Sequence, residues 1–533
     1  MSVLVTGGAG YIGSHMTYAL VDRGEKVVVL DDLSTGNRSL VSEKATLVEG
    51  DAGDQALVRR LIEEHGVGAA IHFAGSIVVP DSVAHPLDYY ANNTGKSRAL
   101  IEACVQGGVK HFIFSSTATV YDAGGCLVLP GGVDIHTHVF GNIEDDTRSA
   151  LCGGTTSALA FVDALDGESP AQAARRTLND ELPDALIDLG FHAVIWEPQA
   201  YKRGDLRDVA ALGVGSVKLW LAYLDLGIMA DDDVAFEVVQ EAAQVGMVAL
   251  AHCENGRIID VLTRDLVARG ELGLGSLPAS RPIALEAECI QRFLTMAGIA
   301  GATAYVVHVT GREPLEEIAR ARSRGVDVHG EVCTHHLLFD EADHGGPDGL
   351  RYVMTPPLRS APDRDALWKA LRDGGLSTYA SDHCHLRLDR DKIPFRDDFT
   401  KVPAGIPGIG ARIPLAFALG IDAGRMSVER LVEVACEAPA RIFGLYPRKG
   451  HIGPGSDADI AVWDPRSPMT LTPSVLADGL DWTPYDGIEV PGRMRYVFAR
   501  GDLVVEDGRW VQSDRRGAYL GIDRVREHAG VEV

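Results

Sequence analysis

Polar residues at the ends of five predicted strands constrain the fold of this chain more than any other feature. From about residue 123, eight short apolar segments alternate with amphipathic stretches. This alternation predicts a parallel sheet, and eight units close into a TIM-type (β/α)8 barrel with functional groups at the carboxyl ends of the strands. The predicted strands are 127–136, 155–162, 191–196, 216–223, 247–252, 304–308, 327–334 and 376–382. The polar groups on their common rim are His136, His138, Lys218, His252, His308 and Asp382.

The pair His136 and His138 indicates a metal site. The two lie two residues apart in a strand, so their side chains point the same way and can chelate one ion. A single histidine is more often a hydrogen-bonded packing residue, but packing does not require this pair together with imidazoles at two further strand ends. Lys218 alone would fit an exposed position. Beside two divalent ions its ammonium would be repelled, so this lysine must be neutral or chemically modified.

Short motifs in this region occur in the order and spacing of a known family. They are the segments 129–138 (LPGGVDIHTH), 218–223 (KLWLAY), 251–255 (AHCEN), 307–309 (VHV), 381–384 (SDHC) and 407–409 (PGI). Over about residues 123–515 the chain resembles the hydantoinase/dihydropyrimidinase branch of the amidohydrolase superfamily. The resemblance implies an α/β metallo-hydrolase barrel beside a small β domain. It also implies that the enzyme hydrolyses a small cyclic amide.

The same resemblance implies two divalent ions, with zinc expected and manganese as the alternative. His136, His138 and Asp382 would hold one ion, and His252 and His308 would hold the other. The two ions would be bridged by a carboxylated lysine, Lys218. A hydroxide shared by the ions would attack the amide carbon of a hydantoin or dihydropyrimidine ring and open it to an N-carbamoyl amino acid.

The catalytic and substrate-binding roles also follow from the resemblance. Asp382 would carry the proton to the leaving nitrogen, and the Tyr223 hydroxyl would donate to the oxyanion. Backbone groups of Thr355 and Ala404 would hold the imide or ureide edge of the substrate.

Several positions depart from the family pattern. Ala404 stands where the family usually has Asn, Gly410 where it has Glu, and His385 where it has Pro, and the loop 139–147 is short. These departures leave the identity of the ring open. His335 and His336, at the end of the seventh predicted strand, are expected to pack or to support the ligands.

The first 121 residues show a different pattern, a Rossmann-like run of βα units. Its predicted strands are 3–6, 26–30, 45–48, 69–73 and 111–115. The loop between the first strand and the first helix contains Gly7, Gly10 and Gly13, and Asp31 ends the second strand. Such glycines allow a tight turn and a close approach to a pyrophosphate, while the carboxylate meets the adenosine ribose. The segment therefore predicts a dinucleotide site, with NAD as a weak ligand, although a glycine loop can also bind nothing.

Further motifs make this segment similar to the beginning of a UDP-glucose 4-epimerase of the extended short-chain dehydrogenase type. They are 49–51 (EGD), 72–75 (HFAG), 89–93 (YYANN) and 114–121 (FSSTATVY). The epimerase reaction needs a Tyr-x-x-x-Lys pair, because the lysine lowers the pKa of the tyrosine that accepts the sugar hydroxyl proton. No such pair occurs in the chain, which leaves Thr117 as the one candidate for the family's catalytic hydroxyl.

We therefore expect three parts: a truncated NAD-binding segment (1–122), the barrel (123–445) and a small, incomplete β domain with the tail (446–533). The leading hypothesis is a metal-dependent cyclic-amide hydrolase. The alternatives are an NAD-dependent epimerase and a catalytically silent fusion whose first segment only binds a nucleotide.

Charge and cysteine usage limit the partners and the location. The formal charge of −25 repels polyanions, and no basic stripe is evident, so a nucleic-acid partner is not expected. The eight cysteines are scattered without a CxxC pair, which predicts reduced thiols in the cytoplasm. No leader or bilayer-length apolar stretch is evident, so no membrane association is expected. The family resemblance implies a homo-oligomer, either a tetramer or a dimer.

Overall fold

The computed structural model describes residues 2–75, 90–114, 121–122, 125–139, 141–453, 455–511, 516–523 and 525. The chain forms two compact units, residues 1–117 and 118–533. The three-part division at residues 122 and 445 stays a prediction. Across the described residues, no helix is both long enough and apolar enough to span a membrane.

The first unit contains a five-stranded parallel sheet. Its strands are β1 (Ser2–Thr6), β2 (Lys26–Asp31), β3 (Thr46–Glu49), β4 (Val67–His72) and β5 (His111–Phe114), in the spatial order 3-2-1-4-5. This is the Rossmann order, which confirms the predicted fold of the segment. The α-helices are Tyr11–Asp22, Gln55–His65 and Lys96–Gln106, the last of them preceded by a π-helical turn, Tyr90–Gly95.

Alternation along the strands explains why both faces of this sheet are covered. Leu4 and Val28 lie in one apolar cluster, while their neighbours Val5 and Val29 lie in another. Successive side chains of a strand point to opposite faces, so a strand with apolar residues at consecutive positions is buried on both sides.

The second unit contains most of the chain. Its strands are β6 (Tyr121–Asp122), β7 (Leu127–Pro130), β8 (Gly132–His138), β9 (Thr155–Phe161), β10 (Asp188–Val194), β11 (Ser216–Trp220), β12 (Val248–His252), β13 (Ala304–Val306), β14 (Val328–Cys333), β15 (Thr378–Ala380), β16 (His383–Cys384), β17 (Ile460–Asp464), β18 (Met469–Thr470), β19 (Glu489–Val490), β20 (Arg493–Ala499), β21 (Asp502–Glu506) and β22 (Arg509–Trp510). Its α-helices are Ile143–Cys152, Pro170–Arg176, Asp205–Ala211, Asp232–Gln244, Gly256–Ala268, Leu277–Ser280, Ile283–Ala300, Arg312–Ser323, Thr334–Leu338, Ala361–Asp373, Arg412–Ala416, Val428–Val432, Ala438–Ile442 and Pro473–Leu476.

Strands β8 to β15 form the predicted TIM barrel. They pair in chain order and in parallel. Strand β16 follows β15 after Ser381 and Asp382 and pairs in parallel with β8, which closes the barrel. Because all eight strands point the same way, their carboxyl ends lie on one rim.

The first predicted barrel strand, 127–136, is wrong in one respect. The strand is interrupted at Gly131. Leu127–Pro130 is therefore a separate strand, which pairs antiparallel with β17 in the small sheet. A side chain at position 131 would lie 2.1 Å from Thr156 Oγ1, so only glycine fits there without rearrangement. The backbone N–H of Gly131 donates to the Asp459 carbonyl. Apolar residues on both sides of this break look like one strand in sequence, although they belong to two sheets.

The small antiparallel sheet has the order β22-β21-β20-β17-β7-β6. Strands β20 and β21 pair antiparallel as the two arms of a hairpin. A buried ion cluster lies near the turn of this hairpin, where Lys449 Nζ is 2.6 Å from both Asp188 Oδ2 and Asp459 Oδ2 and the Arg500 N–H donates to Asp459 Oδ1. Asp188 is the first residue of the barrel strand β10, so this lysine connects the small sheet to the barrel.

Candidate metal centre

Six predicted ligands lie on strands of the barrel or just beyond their carboxyl ends. His136 and His138 end β8, His252 ends β12, and Lys218 lies within β11. His308 follows β13 by two residues, and Asp382 lies in the break between β15 and β16. Ligand atoms of His136, His138 and Asp382 lie within 4.8 Å of one another, as a shared ion requires.

The orientation of His136 fits a metal ligand. Its Nδ1 lies 2.6 Å from Glu331 Oε1, while its Nε2 lies 3.0 Å from Asp382 Oδ1. A carboxylate that accepts from one ring nitrogen leaves the other nitrogen as the ligand atom. Burial would lower the pKa of His136, but Asp382 and Glu331 outweigh it and raise the pKa to about 9. The site therefore favours positive charge between these carboxylates, which a divalent ion supplies.

His252 is oriented in the same way by a different carboxylate. Its Nε2 lies 2.7 Å from Glu254 Oε2, so its Nδ1 is left as the ligand atom of the neutral ring. Glu254 also accepts from Arg281 Nη1. Burial would raise the pKa of Glu254, but Arg281 and His252 lower it to about 2. The rings of His252 and His308 are 4.6 Å apart, so the two predicted ligands of the second ion are neighbours.

Lys218 is a fully buried amine without a hydrogen-bond partner among the described residues. Its Nζ lies 4.6 Å from the ring centre of Phe161 and 4.9 Å from that of Trp220. Burial lowers the pKa of this amine to about 8. An amine in such surroundings reaches its neutral, nucleophilic form near physiological pH. A buried amine without a hydrogen-bond partner is what a lysine that becomes a carbamate between two ions would require.

Three residues of the site have left-handed backbone conformations. The φ angles of Tyr223, His308 and Asp382 are 64°, 39° and 49°. Such values are uncommon for residues other than glycine and often mark functional sites, where they direct a side chain toward the reacting centre. At Asp382 this kink also separates β15 from β16, and its N–H donates to the His136 carbonyl.

Tyr223 and Thr355 meet at the edge of the centre. The Tyr223 hydroxyl lies 2.5 Å from Thr355 Oγ1, and the Arg281 guanidinium lies 5.2 Å from the Tyr223 ring centre. Ala404 is exposed, and the N–H of the following Gly405 donates to the carbonyl of Val353. The segments that contain Thr355 and Ala404 therefore run side by side.

Comparison with known proteins identifies the family. Residues 127–504 match the family model described as Amidohydrolase family, which is more than half of the 533 residues. The chain belongs to the amidohydrolase family.

Relatives of this amidohydrolase confirm the hydantoinase/dihydropyrimidinase resemblance. It is 37% identical to the D-hydantoinase of Ralstonia pickettii over 410 residues, which are 75% of this chain and 89% of the relative. A solved D-hydantoinase structure matches at 35% identity with a TM-score of 0.72, covering 78% of this chain and 91% of that chain. The dihydropyrimidinase of Brevibacillus agri matches at 33% identity with a TM-score of 0.71, covering 77% of this chain and 90% of that chain.

The first unit of the amidohydrolase chain is similar to a second family. Residues 3–141 match the model described as NAD dependent epimerase/dehydratase family, which confirms the epimerase-like segment. The glycine loop is tightly packed, because a side chain at Gly13 would meet the Gly7 carbonyl oxygen at 2.2 Å. Gly7 has a φ of 72°, and the N–H of Gly10 donates to its carbonyl. The carboxylate of Asp31 accepts from the N–H groups of Ala9 and Leu33. Thr117 lies outside the described residues.

Two departures from the family pattern lie together in the amidohydrolase barrel. His385 Nδ1 lies 2.7 Å from Asp146 Oδ1, and His383 Nε2 lies 3.0 Å from the same oxygen. A side chain at Gly410 would meet Ser149 Oγ at 2.3 Å, so the glutamate that is usual in the family does not fit there without rearrangement. The helix Ile143–Cys152 contributes both Asp146 and Ser149 to this region.

The sequence interpretation missed Glu331, Glu254 and Arg281. Glu331 lies inside the predicted seventh strand and is fully buried. A carboxylate inside a barrel strand was the sequence signal that could have indicated it. Glu254 belongs to the motif 251–255, in which the family resemblance gives a role to the histidine alone. Arg281 lies in a loop before the helix Ile283–Ala300, and no sequence signal places it at the site.

Proposed function

We propose that this amidohydrolase opens a hydantoin or dihydropyrimidine ring to an N-carbamoyl amino acid by metal-dependent hydrolysis. The convergence of His136, His138 and Asp382 with the unpaired amine of Lys218 is the observation that carries the proposal. The names of the relatives, D-hydantoinase and dihydropyrimidinase, support the substrate class.

The residues present fit two divalent ions, zinc first and manganese second. His136, His138 and Asp382 would hold one ion, and His252 and His308 the other. When bound, such ions generate a nucleophile from water at neutral pH and polarise the amide carbonyl. Imidazole and carboxylate donors suit zinc, and carboxylate-rich sites also accept manganese.

Lys218 would join the two ions as a carbamate. The ammonium first loses a proton to solvent, and the neutral amine nitrogen then forms a bond to the carbon of carbon dioxide. One carbon–oxygen π bond becomes the negative charge of the carbamate, and the nitrogen releases a second proton to solvent. The side chain changes from a cation to an anion, which removes the repulsion between an ammonium and the ions. Complete burial of Nζ favours the neutral amine that this reaction needs, because desolvation lowers the pKa of the amine.

Asp382 and Tyr223 would carry out the proton transfer and the charge stabilisation. The Asp382 carboxylate accepts a proton from the attacking water and delivers it to the ring nitrogen as the carbon–nitrogen bond breaks. The Tyr223 hydroxyl, held by Thr355, donates to the carbonyl oxygen as that oxygen becomes anionic. Backbone groups of Thr355 and Ala404 would bind the polar edge of the ring.

The test is metal analysis of the purified chain together with a hydrolysis screen over dihydrouracil, substituted hydantoins and allantoin. We expect close to two ions per chain in the histidine–aspartate centre and ring opening of at least one of these amides. Removal of the ions with a chelator should abolish turnover, and zinc or manganese should restore it. A metal-loaded chain that hydrolyses none of these rings would contradict the substrate class.

The first unit is proposed to bind at most the adenosine half of NAD, through Gly7, Gly10, Gly13 and Asp31. The absence of a Tyr-x-x-x-Lys pair supports this limited role, because the nicotinamide half would meet a site without its tyrosine and lysine. For the whole chain we propose a cytoplasmic homo-oligomer, a tetramer or a dimer.

A further inference from the structure

Three metal-binding side chains that the proposed mechanism does not use meet at the end of β14. Cys333 ends the strand, and His335 and His336 lie in the short helix Thr334–Leu338 that follows. All three are buried, with exposed fractions of 0%, 1% and 3%. One ligand atom of each lies within 4.8 Å of the ligand atoms of the other two.

One ring nitrogen of His336, Nδ1, has no hydrogen-bond partner among the described residues. The other, Nε2, lies 3.2 Å from the Pro356 carbonyl oxygen. A carbonyl oxygen only accepts, so Nε2 must bear the hydrogen and Nδ1 of the neutral ring bears the lone pair. A histidine that donates one N–H to a backbone carbonyl and offers its other nitrogen is arranged as metal ligands usually are.

Both ring nitrogens of His335 lack a hydrogen-bond partner among the described residues, although the ring is 1% exposed. Buried polar groups are nearly always paired, because an unpaired one loses its hydration without compensation. A cation would pair one of these nitrogens.

Cys333 supplies a softer donor. Its thiol donates only a long bond, 3.4 Å, to Glu331 Oε1. A thiolate with two imidazoles is a donor set that suits Zn²⁺ or Cu⁺ and does not suit Mg²⁺ or Ca²⁺. In a tetrahedral zinc site the ligand atoms are about 3.3–3.8 Å apart, given bonds of about 2.0–2.3 Å. Side-chain shifts of about 1 Å would therefore bring these ligands to bonding distance.

The same tautomer argument rejects a neighbouring cluster as a metal site. His383 Nδ1 accepts from the Gly408 N–H at 3.0 Å, so Nε2 of the neutral ring must bear the hydrogen. That hydrogen faces Asp146, and the ring offers no lone pair to an ion. Asp146 therefore pairs with both imidazoles, with His385 Nδ1 at 2.7 Å and His383 Nε2 at 3.0 Å. Ring nitrogens of His335 and His336 have no such partner among the described residues.

We propose that Cys333, His335 and His336 form a third metal site, which binds a thiophilic cation of the Zn²⁺ or Cu⁺ type. On binding, the sulfur–hydrogen bond of Cys333 breaks, the sulfur binds the ion, and the proton leaves to solvent. The two imidazoles bind through lone pairs and release no proton. The site differs in its sulfur ligand from the histidine–aspartate centre, whose six proposed ligands contain no sulfur, although Cys333 also lies near His136 and Glu331.

Cobalt substitution tests for the sulfur ligand. The full-length chain is produced in medium supplemented with Co²⁺, so that the ion enters during folding. We expect a thiolate-to-cobalt charge-transfer absorption in the unmodified protein and in Cys436→Ser. Cys436 is a matched control, because its buried thiol donates only to the Pro130 carbonyl. Cys333→Ser should lose this absorption and one ion per chain, yet keep the visible cobalt absorption of the other centre.

X-ray absorption of the unmodified zinc protein provides a test that needs no variant. We expect a sulfur neighbour of zinc at about 2.3 Å. Absence of sulfur around zinc, together with absence of the charge-transfer band in a cobalt-loaded chain, overturns the proposal. Persistence of the band in a folded Cys333→Ser protein overturns it as well. Elemental analysis of the chain as purified then distinguishes zinc from copper. None of these readouts depends on turnover, so they are separate from the test of the hydrolase.

Discussion

The barrel and the first unit both contain a recognisable motif, but they assemble it differently. In the barrel, the ligands come from strands spread between residues 136 and 382 and become neighbours only when β16 pairs with β8. In the first unit, the glycine loop and Asp31 are joined by local contacts, such as the bond from the Ala9 N–H to the Asp31 carboxylate.

This difference shows what each kind of motif needs. A glycine loop requires only the strand, turn and helix around it, so it forms in a short segment whether or not the rest of an enzyme follows. A convergent metal centre requires the complete barrel, because each ligand depends on a different strand. A complete ligand set is therefore stronger evidence for activity than a complete binding loop.

The largest expected effect is at Lys218. Lys218→Ala removes the group that would join both ions, so we expect metal content and turnover to fall together to background. Elemental analysis and a ring-opening assay on the same preparation measure this. Acetate or propionate in excess should restore part of both, because a small carboxylate can occupy the space of the lost side chain. Full metal content in the variant would show that Lys218 does not bridge the ions.

Asp382→Asn should have the next largest effect. The amide retains an oxygen near the ion but cannot accept a proton, so turnover should fall by about 10²–10⁴-fold, as for loss of a general acid–base group. Turnover per bound ion is the relevant measurement, since Asp382 is also a proposed ligand. An unchanged rate per ion would assign the proton transfer to another residue.

Tyr223→Phe tests a group that touches substrate and not metal. Loss of one oxyanion donor costs about 10²–10³ in turnover in comparable sites. Metal content should be unchanged, because the proposed ligands are other residues. Thr355→Val is the matched control: it removes the hydroxyl that contacts Tyr223 while leaving the phenol, and we expect a smaller loss. Equal losses in both variants would mean that the two hydroxyls act as a pair and that Tyr223 has no separate role as the oxyanion donor.

The fold was predictable from sequence wherever a strand is buried on both faces. The eight barrel strands and the five Rossmann strands show as apolar runs separated by amphipathic helices, and the structure contains them with small shifts at their ends. The error at residues 127–136 arose because apolar residues stand on both sides of Pro130 and Gly131, so two strands look like one in sequence. Only pairing with β17, more than 300 residues later, shows that two sheets meet there.

The site was predictable only in part. Histidines at strand ends have a periodicity and a position that sequence displays. Glu331 offered only its place inside a predicted strand, and Arg281 offered no signal, since their roles depend on contacts with His136 and Glu254. The Cys333, His335 and His336 cluster shows the same limit, because adjacent histidines in sequence do not reveal which ring nitrogens lack partners.

Glu331→Gln tests one of these hidden contacts and should have a moderate effect. The amide oxygen can still accept from His136 Nδ1, but the charge is lost. We expect metal affinity to fall by about 10–100-fold, the usual cost of changing a residue that orients a ligand. Competition with a chelator measures this. Turnover at saturating metal should be close to that of the unmodified protein, and a large loss there would give Glu331 a role beyond orientation.

The smallest effect is expected from changes in the first unit. The barrel's ligands all lie between residues 136 and 382, and hydrolysis needs no hydride carrier, so added NAD should leave ring opening unchanged. Asp31→Ala should also leave it unchanged, although it removes the acceptor for two loop N–H groups. Calorimetry should detect weak binding of NAD or none, and the chain should not interconvert UDP-glucose and UDP-galactose, because it lacks a Tyr-x-x-x-Lys pair. Measurable interconversion by the purified chain, lost in Asp31→Ala, would make the first unit an enzyme in its own right and remove the contrast between the two regions.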